Sequence, residues 1–114
     1  MGGHAMPVFT PQQLRDDPEL SPHWSSYGVM KLDRGATIRP HFHDCDEWWI
    51  ITDGHALITN EGEEYEVEEG HMVFTPMGED HGVIEVYRDL EGVWLEGPLH
   101  GEKRRGHLHH PEDD

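Results

Sequence analysis

A chain of 114 residues has room for one hydrophobic core and not for a second. Its 24 acidic residues against 8 basic ones give a formal net charge of -16, a field that repels phosphate backbones and anionic headgroups and argues against nucleic-acid or membrane partners. A single cysteine, Cys45, excludes an intramolecular disulfide framework and fits a reducing cytoplasm.

Apolar residues make up only 34%, but four Trp, three Phe and three Tyr supply bulky core material, while 13 Gly and 8 Pro suit many turns between short strands. No apolar run reaches the roughly 20 residues of a spanning helix, and no basic-plus-apolar leader opens the chain. Residues 1–5 (MGGHA) read as an expression scar ahead of a native start at Met6.

In the N-terminal segment, 6–26, Thr10, Pro11 and Gln13 predict a helix start with a capping box, cut short by Pro18 and Pro22. Strand-and-turn patterning fills 27–99. Tyr27 to Leu32 and Ala36 to Arg39 flank the turn Asp33-Arg34-Gly35. Glu47 to Thr52 is a continuous aromatic and β-branched run, and Asp53-Gly54 is a hairpin signal before His55 to Thr59. Asn60-Glu61-Gly62 turns into a half-exposed strand around Tyr65 and Val67. His71 to Thr75, Gly82 to Tyr87 and Val93 to Glu96 complete about eight strands. Such a series predicts an all-β antiparallel sandwich or barrel, which also hides strand edges. Residues 100–114 read as a polar, loosely held tail, with His107, His109 and His110 in solvent.

Histidines and acids recur with unusual order around two glycine-framed stretches. In the first, Gly35, His41, His43, Glu47 and Gly54 follow one another; in the second, Gly70, Pro76, Gly78 and His81. Alternation along a strand puts His41 and His43 on one face, with Arg39 on their parity. A turn at Asp44-Cys45-Asp46 lets Glu47 point back to the same interior, and the turn Pro76-Met77-Gly78 delivers His81 from a separate hairpin. Imidazoles and a carboxylate without thiolate favour one divalent transition metal: Fe, Mn, Ni, Co, Cu or Zn. An ion that prefers six ligands keeps two positions open, whereas tetrahedral zinc would be closed and structural.

These stretches resemble the two motifs of the cupin superfamily. GATIRPHFHDCDEWWIITDG, from Gly35 to Gly54, matches the first at each defining position. GHMVFTPMGEDHGVIE, from Gly70 to Glu85, matches the second except at its end, where the usual Asn is Glu85. The short spacer is that of small microbial cupins. The resemblance implies a double-stranded β-helix, or jelly-roll, barrel with His41, His43, Glu47 and His81 as metal ligands, and a homodimer. Cupins include dioxygenases, decarboxylases, isomerases, epimerases, lyases and non-catalytic sensors, so fold alone does not choose the chemistry.

Other residues are candidates for the reaction. Glu85, if it shares the inward parity of His81, is a general acid/base; otherwise it is a rim-exposed glutamate. Arg39 is a candidate clamp for a carboxylate or phosphate, or else a surface ion-pair partner. Trp49 on the parity of Glu47, and Tyr87 on that of His81, are candidate substrate contacts or core filling. Trp94 and Glu96 lie on another cavity strand. Cys45, between two aspartates, is no thiolate nucleophile. The leading expectation is a metal-dependent isomerase, epimerase or lyase acting on a small sugar-like or hydroxy-acid molecule through an enediolate or enolate. A dioxygenase using O₂ and a non-catalytic binding or sensing protein are the alternatives.

Overall fold

The computed structural model describes residues 7–99 together with Leu108 and His109; the scar at 1–5 and the rest of the 100–114 tail lie outside the described residues. The chain opens with α1 (Pro11–Asp16), followed by β1 (Ser26–Leu32), β2 (Ile38–His41), β3 (Glu47–Asn60), β4 (Glu63–Glu68), β5 (Met72–Thr75) and β6 (His81–Glu96). Helix α1 begins with the expected capping box: Gln13 N donates to Thr10 Oγ1 at 3.2 Å, and Thr10 N donates to Gln13 Oε1 at 2.8 Å. Its one buried residue, Leu14, fixes it to the barrel.

Among the described residues six strands form where eight are expected, because two pairs merge into the long strands β3 and β6. Asp53-Gly54 does not make a hairpin. Asp53 pairs with Glu91 and His55 with Arg88, so both halves of β3 bond to β6 rather than to each other. Gly54, at φ 103°, bends the strand instead of reversing it. It also brings β3 so close to β6 that a Cβ there would stand 2.2 Å from the Asp89 carbonyl oxygen. Asn60 to Glu63 does form a tight hairpin, with Glu61 at φ 50° and Gly62 at φ 81°. Positive φ at both central residues gives the turn the twist that antiparallel strands need.

All pairings are antiparallel. The first half of β3 and the second half of β6 lie between β1 and β5, and their other halves lie between β2 and β4. The bend folds these faces over one core. Met30, Trp49 and Ile51 come from the first, Ala56, Ile58, Val67, Val83 and Val86 from the second, and Leu90 from the turn of the ladder. The result is the all-β jelly roll with a short N-terminal helix that the sequence predicts.

The ladders carry several register shifts, and two of them reset which side chains face inward near the ends of β2 and β6. On β2, Ile38 pairs with Val83 but His41 with His81, so three residues cover the span of two. On β6, Ile58 pairs with Val83 but Leu57 with Glu85, leaving Ile84 as an extra residue. Each is a bulge, and each flips the alternation beyond it.

The outer surface of the β1–β5 face carries two apolar rows across all four strands. Tyr27, Leu95, Trp48 and Phe74 form one; Val29, Val93, Ile50 and Met72 form the other. The first is partly covered by the N-terminal segment, with Trp24 edge-on to Trp48 at 5.3 Å. In the second, Val29 and Met72 are 69% and 62% exposed.

Gly54→Ala is expected to destabilise the fold by about 3 kcal/mol or more, since backbone cannot retreat from the new methyl group. Gly35→Ala, with nothing within 4 Å of its added Cβ, pays only for its φ of 87°, about 1 kcal/mol. Urea denaturation of both variants measures the difference.

Candidate metal centre

The centre is assembled where strands begin and end. His41 closes β2, Glu47 opens β3, His81 opens β6, and His43 lies in the loop joining β2 to β3. The ladder places His41 opposite His81. The loop is held on several sides: Gly78 N donates to His43 O at 3.1 Å, Gly97 N to Asp46 O at 2.8 Å and Met77 N to Asp46 Oδ1 at 2.8 Å. Cys45 is buried within it.

His41, His43, Glu47 and His81 are 3%, 5%, 5% and 1% exposed, so all four sit out of water. His41 Nε2 and His81 Nε2 approach to 3.1 Å, and His81 Nε2 lies 3.0 Å from Glu47 Oε1. His43 Nε2, fully shielded from solvent, faces the same oxygen at 3.6 Å. Donors about 2.1 Å from one ion and 90–110° apart stand roughly 3.0–3.4 Å from each other; the His41–His81 and His81–Glu47 spacings fall in that range, and the nitrogens of His41, His43 and His81 all lie within 4.8 Å of one another.

The outer nitrogens support the same fit. His41 Nδ1 must carry its hydrogen, because its partner at 3.1 Å is the Arg39 carbonyl oxygen, which only accepts. In the neutral ring that leaves the Nε2 lone pair facing the cluster. His81 Nδ1 meets Thr75 Oγ1 at 3.1 Å, itself held by Asn60 Nδ2 at 2.9 Å. Trp49 stacks on His81 at 4.7 Å and donates from Nε1 to Glu47 Oε1 at 3.0 Å. Burial pushes the Glu47 carboxyl up to about 7, against the opposing pull of His43.

Beside the cluster lies a cavity of about 250 Å³, walled by Met30, Leu32, Ile38, Trp49 and Trp94. Its lining includes residues of β1 and β2, each of which pairs with β6 among the described residues.

Of the other candidate positions read from sequence, some reach this cavity and some do not. Trp49 does, at 4% exposure, and so does Trp94. Arg39 does not line it: the β2 bulge turns its side chain outward, and only its carbonyl serves the centre. Glu85 and Tyr87 are also on the outside, because the extra residue Ile84 breaks the parity with His81. Tyr87 packs against His55 at 4.9 Å. The expected acid/base and tyrosine contact are therefore corrected: neither is beside the cluster.

Glu96, read from sequence as lying on a cavity strand, is there instead, and so is part of the tail. Glu96, 1% exposed, places Oε2 3.7 Å from His43 Nδ1. Its alternation with Trp94 on one strand was the available signal. Of the tail only Leu108 and His109 are described, and the expected positions of His107 and His110 in solvent lie outside the described residues. Leu108 bridges Phe42 through bonds of 2.8 and 2.9 Å, and His109 donates from Nδ1 to the Pro40 carbonyl at 2.9 Å. The His109 ring lies 6.1 Å from that of His41 rather than in open solvent. No spacing rule marks such a long-range bridge.

Fold and donor set together describe a jelly roll with a candidate metal site, and comparison with known proteins gives its family. The chain belongs to the cupin family: a family model for the cupin domain matches residues 28–96. An uncharacterised protein of Sinorhizobium fredii is 35% identical over 108 residues, which is 91% of this chain and 45% of that protein, so the chain spans about half of its relative. Among solved structures, KdgF from Halomonas sp. is 27% identical with a TM-score of 0.61, covering 68% of this chain and 70% of that one. A predicted oxalate decarboxylase from Thermotoga maritima is 25% identical with a TM-score of 0.62, covering 68% and 69%. No helix among the described residues is long and apolar enough to cross a membrane.

The raised Glu47 carboxyl fixes a pH dependence for the metal-free protein. Between its ordinary 4.5 and about 7 the native state holds a proton that the unfolded chain has released. Stability from this group is therefore lost as pH rises through that window. Glu47→Gln should flatten the fall, as read from urea midpoints of chelator-treated protein between pH 4.5 and 7.5.

Proposed function

We propose that the protein is a divalent-metal-dependent enzyme acting on a small sugar-like or hydroxy-acid molecule, by isomerase, epimerase or lyase chemistry. The observation that carries this reading is the convergence, on the edge of a small cavity, of His41, His43 and His81 nitrogens all within 4.8 Å of one another, with Glu47 Oε1 3.0 Å from His81 and 3.6 Å from His43. Those four residues would hold the ion. When bound, it supplies Lewis-acid polarisation of substrate oxygens and acidifies a neighbouring C–H.

The chain's own residues supply the rest. Trp49 and Trp94 offer flat walls to a sugar-sized ring or acid, and the apolar walls exclude water from the reacting face. The cavity volume limits the substrate to a few carbons. The likeness to a predicted oxalate decarboxylase supports a small carboxylate as one member of the substrate class. A cytoplasmic setting is consistent with the single, buried cysteine.

The same donor set suits Fe(II) with open positions for O₂, which favours a dioxygenase as the second reading. Turnover under argon would exclude it. A ligand that raises Tm yet is recovered unchanged would favour a binding or sensing protein.

Metal analysis of anaerobically purified protein should find close to one equivalent of a transition metal. Chelation should lower Tm by on the order of 10 °C, and retention should fail as pH drops through about 6.5, the ordinary imidazole value. Less than a tenth of an equivalent, with no uptake from added metal, refutes the site. A panel of sugar acids, hydroxy acids and polyols followed by NMR, with and without O₂, then tests the reaction. His81→Ala should abolish both metal uptake and turnover.

We also propose a homodimer that pairs the uncovered Val29, Val93, Ile50 and Met72 row with its copy. The next row, Lys31, Glu91 and Asp53, carries both signs, so a two-fold axis sets opposite charges facing across the rim. Light scattering should give twice the 13.1 kDa chain mass for the native protein. Val29→Glu combined with Met72→Glu should give the monomer.

A further inference from the structure

We infer that Glu96 is the positioning carboxylate of the metal centre, holding the His43 ring and the Glu47 carboxylate in place without being one of the four donors that face the ion. The inference rests on the reading of His41, His43, Glu47 and His81 as the ligand set.

Glu96 ends β6 directly opposite Glu47, which opens β3. At 1% and 5% exposure the two carboxylates sit side by side inside the barrel. Like charges facing each other across a ladder oppose folding, and burial makes the opposition worse. Such a pair persists in an interior when a cation or shared proton balances it.

The other contact of Glu96 gives the pair a direction. Its Oε2 stands 3.7 Å from His43 Nδ1, while the opposite ring nitrogen, Nε2, faces Glu47 Oε1 at 3.6 Å. A carboxylate on the outer nitrogen of an imidazole keeps the hydrogen there, leaves the inner lone pair for the ion and raises its basicity. His41 has the Arg39 carbonyl at its outer nitrogen and His81 has Thr75 Oγ1. Glu96 completes that outer ring for the third histidine and is its charged member.

The backbone under Glu96 is fixed on both sides. Ser25 N donates to its carbonyl at 2.9 Å, and Gly97 N donates to the Asp46 carbonyl at 2.8 Å. The carboxylate therefore meets His43 from a rigid strand end rather than from a loop.

The test uses Co(II) as probe, titrated into chelator-treated full-length protein, with affinity taken by competition and coordination from the visible absorption bands. Glu96→Ala is expected to weaken Co(II) binding about 10- to 100-fold. Glu96→Gln, whose amide oxygen keeps an acceptor facing His43 Nδ1, should recover most of that loss and leave the Co(II) bands where the wild-type protein has them. If Glu96→Ala does not fold, Glu96→Asp, shorter by one methylene, carries the test with an expected loss of about tenfold. Wild-type affinity in the Ala or Asp variant overturns the inference. Bands displaced in Glu96→Gln also overturn it, since Glu96 is then a donor. Absence of Co(II) uptake by the wild-type protein sinks the metal reading itself, and the inference with it.

Discussion

The two ends of the β3–β6 ladder meet, and the rest of the molecule follows from that. Glu47 pairs with Glu96 at one end, and Asn60 with His81 at the other. Stretched flat, a strand of 14 residues would be roughly 45 Å long. Yet His81 Nε2 stands 3.0 Å from Glu47 Oε1. Only a ladder folded over at its middle allows this, and the fold lies at Gly54, where no side chain fits between β3 and the Asp89 carbonyl. The remaining strands attach to one or both of these two, β1 and β2 through β6, β4 and β5 through β3. The glycine that shapes the barrel therefore also brings the donors together, although it touches none of them.

Closing the ladder over such a cluster sets stability against function. Three imidazoles and two carboxylates are removed from water at one spot, and lone pairs point at lone pairs. Without a cation, protons must balance the charges, which is why burial lifts the Glu47 carboxyl far above its ordinary value. The outer hydrogen bonds do not relieve that opposition; they preserve it by orienting the rings inward. Trp49 works on two sides at once, covering His81 with its ring and tying Glu47 with its indole N–H. The core of the protein thus begins where its chemistry ends.

Much of this was legible in the chain because the signals were local. Thr10-Pro11-Gln13 encodes a capping box whatever lies beyond it, and the His41, His43 and Glu47 grouping survives because each residue sits at a strand end or in the loop between. Readings that depended on uninterrupted alternation failed at the bulges. Arg39, Glu85 and Tyr87 were all placed by counting in twos, and one extra residue on β2 or β6 turned each outward. A bulge is decided by the partner strand, which a single segment does not reveal. The same holds for Asp53-Gly54, whose composition suits a reversal or a bend equally well. The choice was made by Glu91 and Arg88, more than thirty residues away. The Phe42 to Leu108 bridge is longer-range still.

The fastening of the segment between His41 and Glu47 has a consequence for selectivity. Phe42, His43 and Asp46 are each tied through backbone bonds to a different part of the chain: Leu108, Gly78 and Gly97. For the cation proposed above, a loop fastened at three points would favour guests by radius and preferred angles over one moulded to each guest in turn.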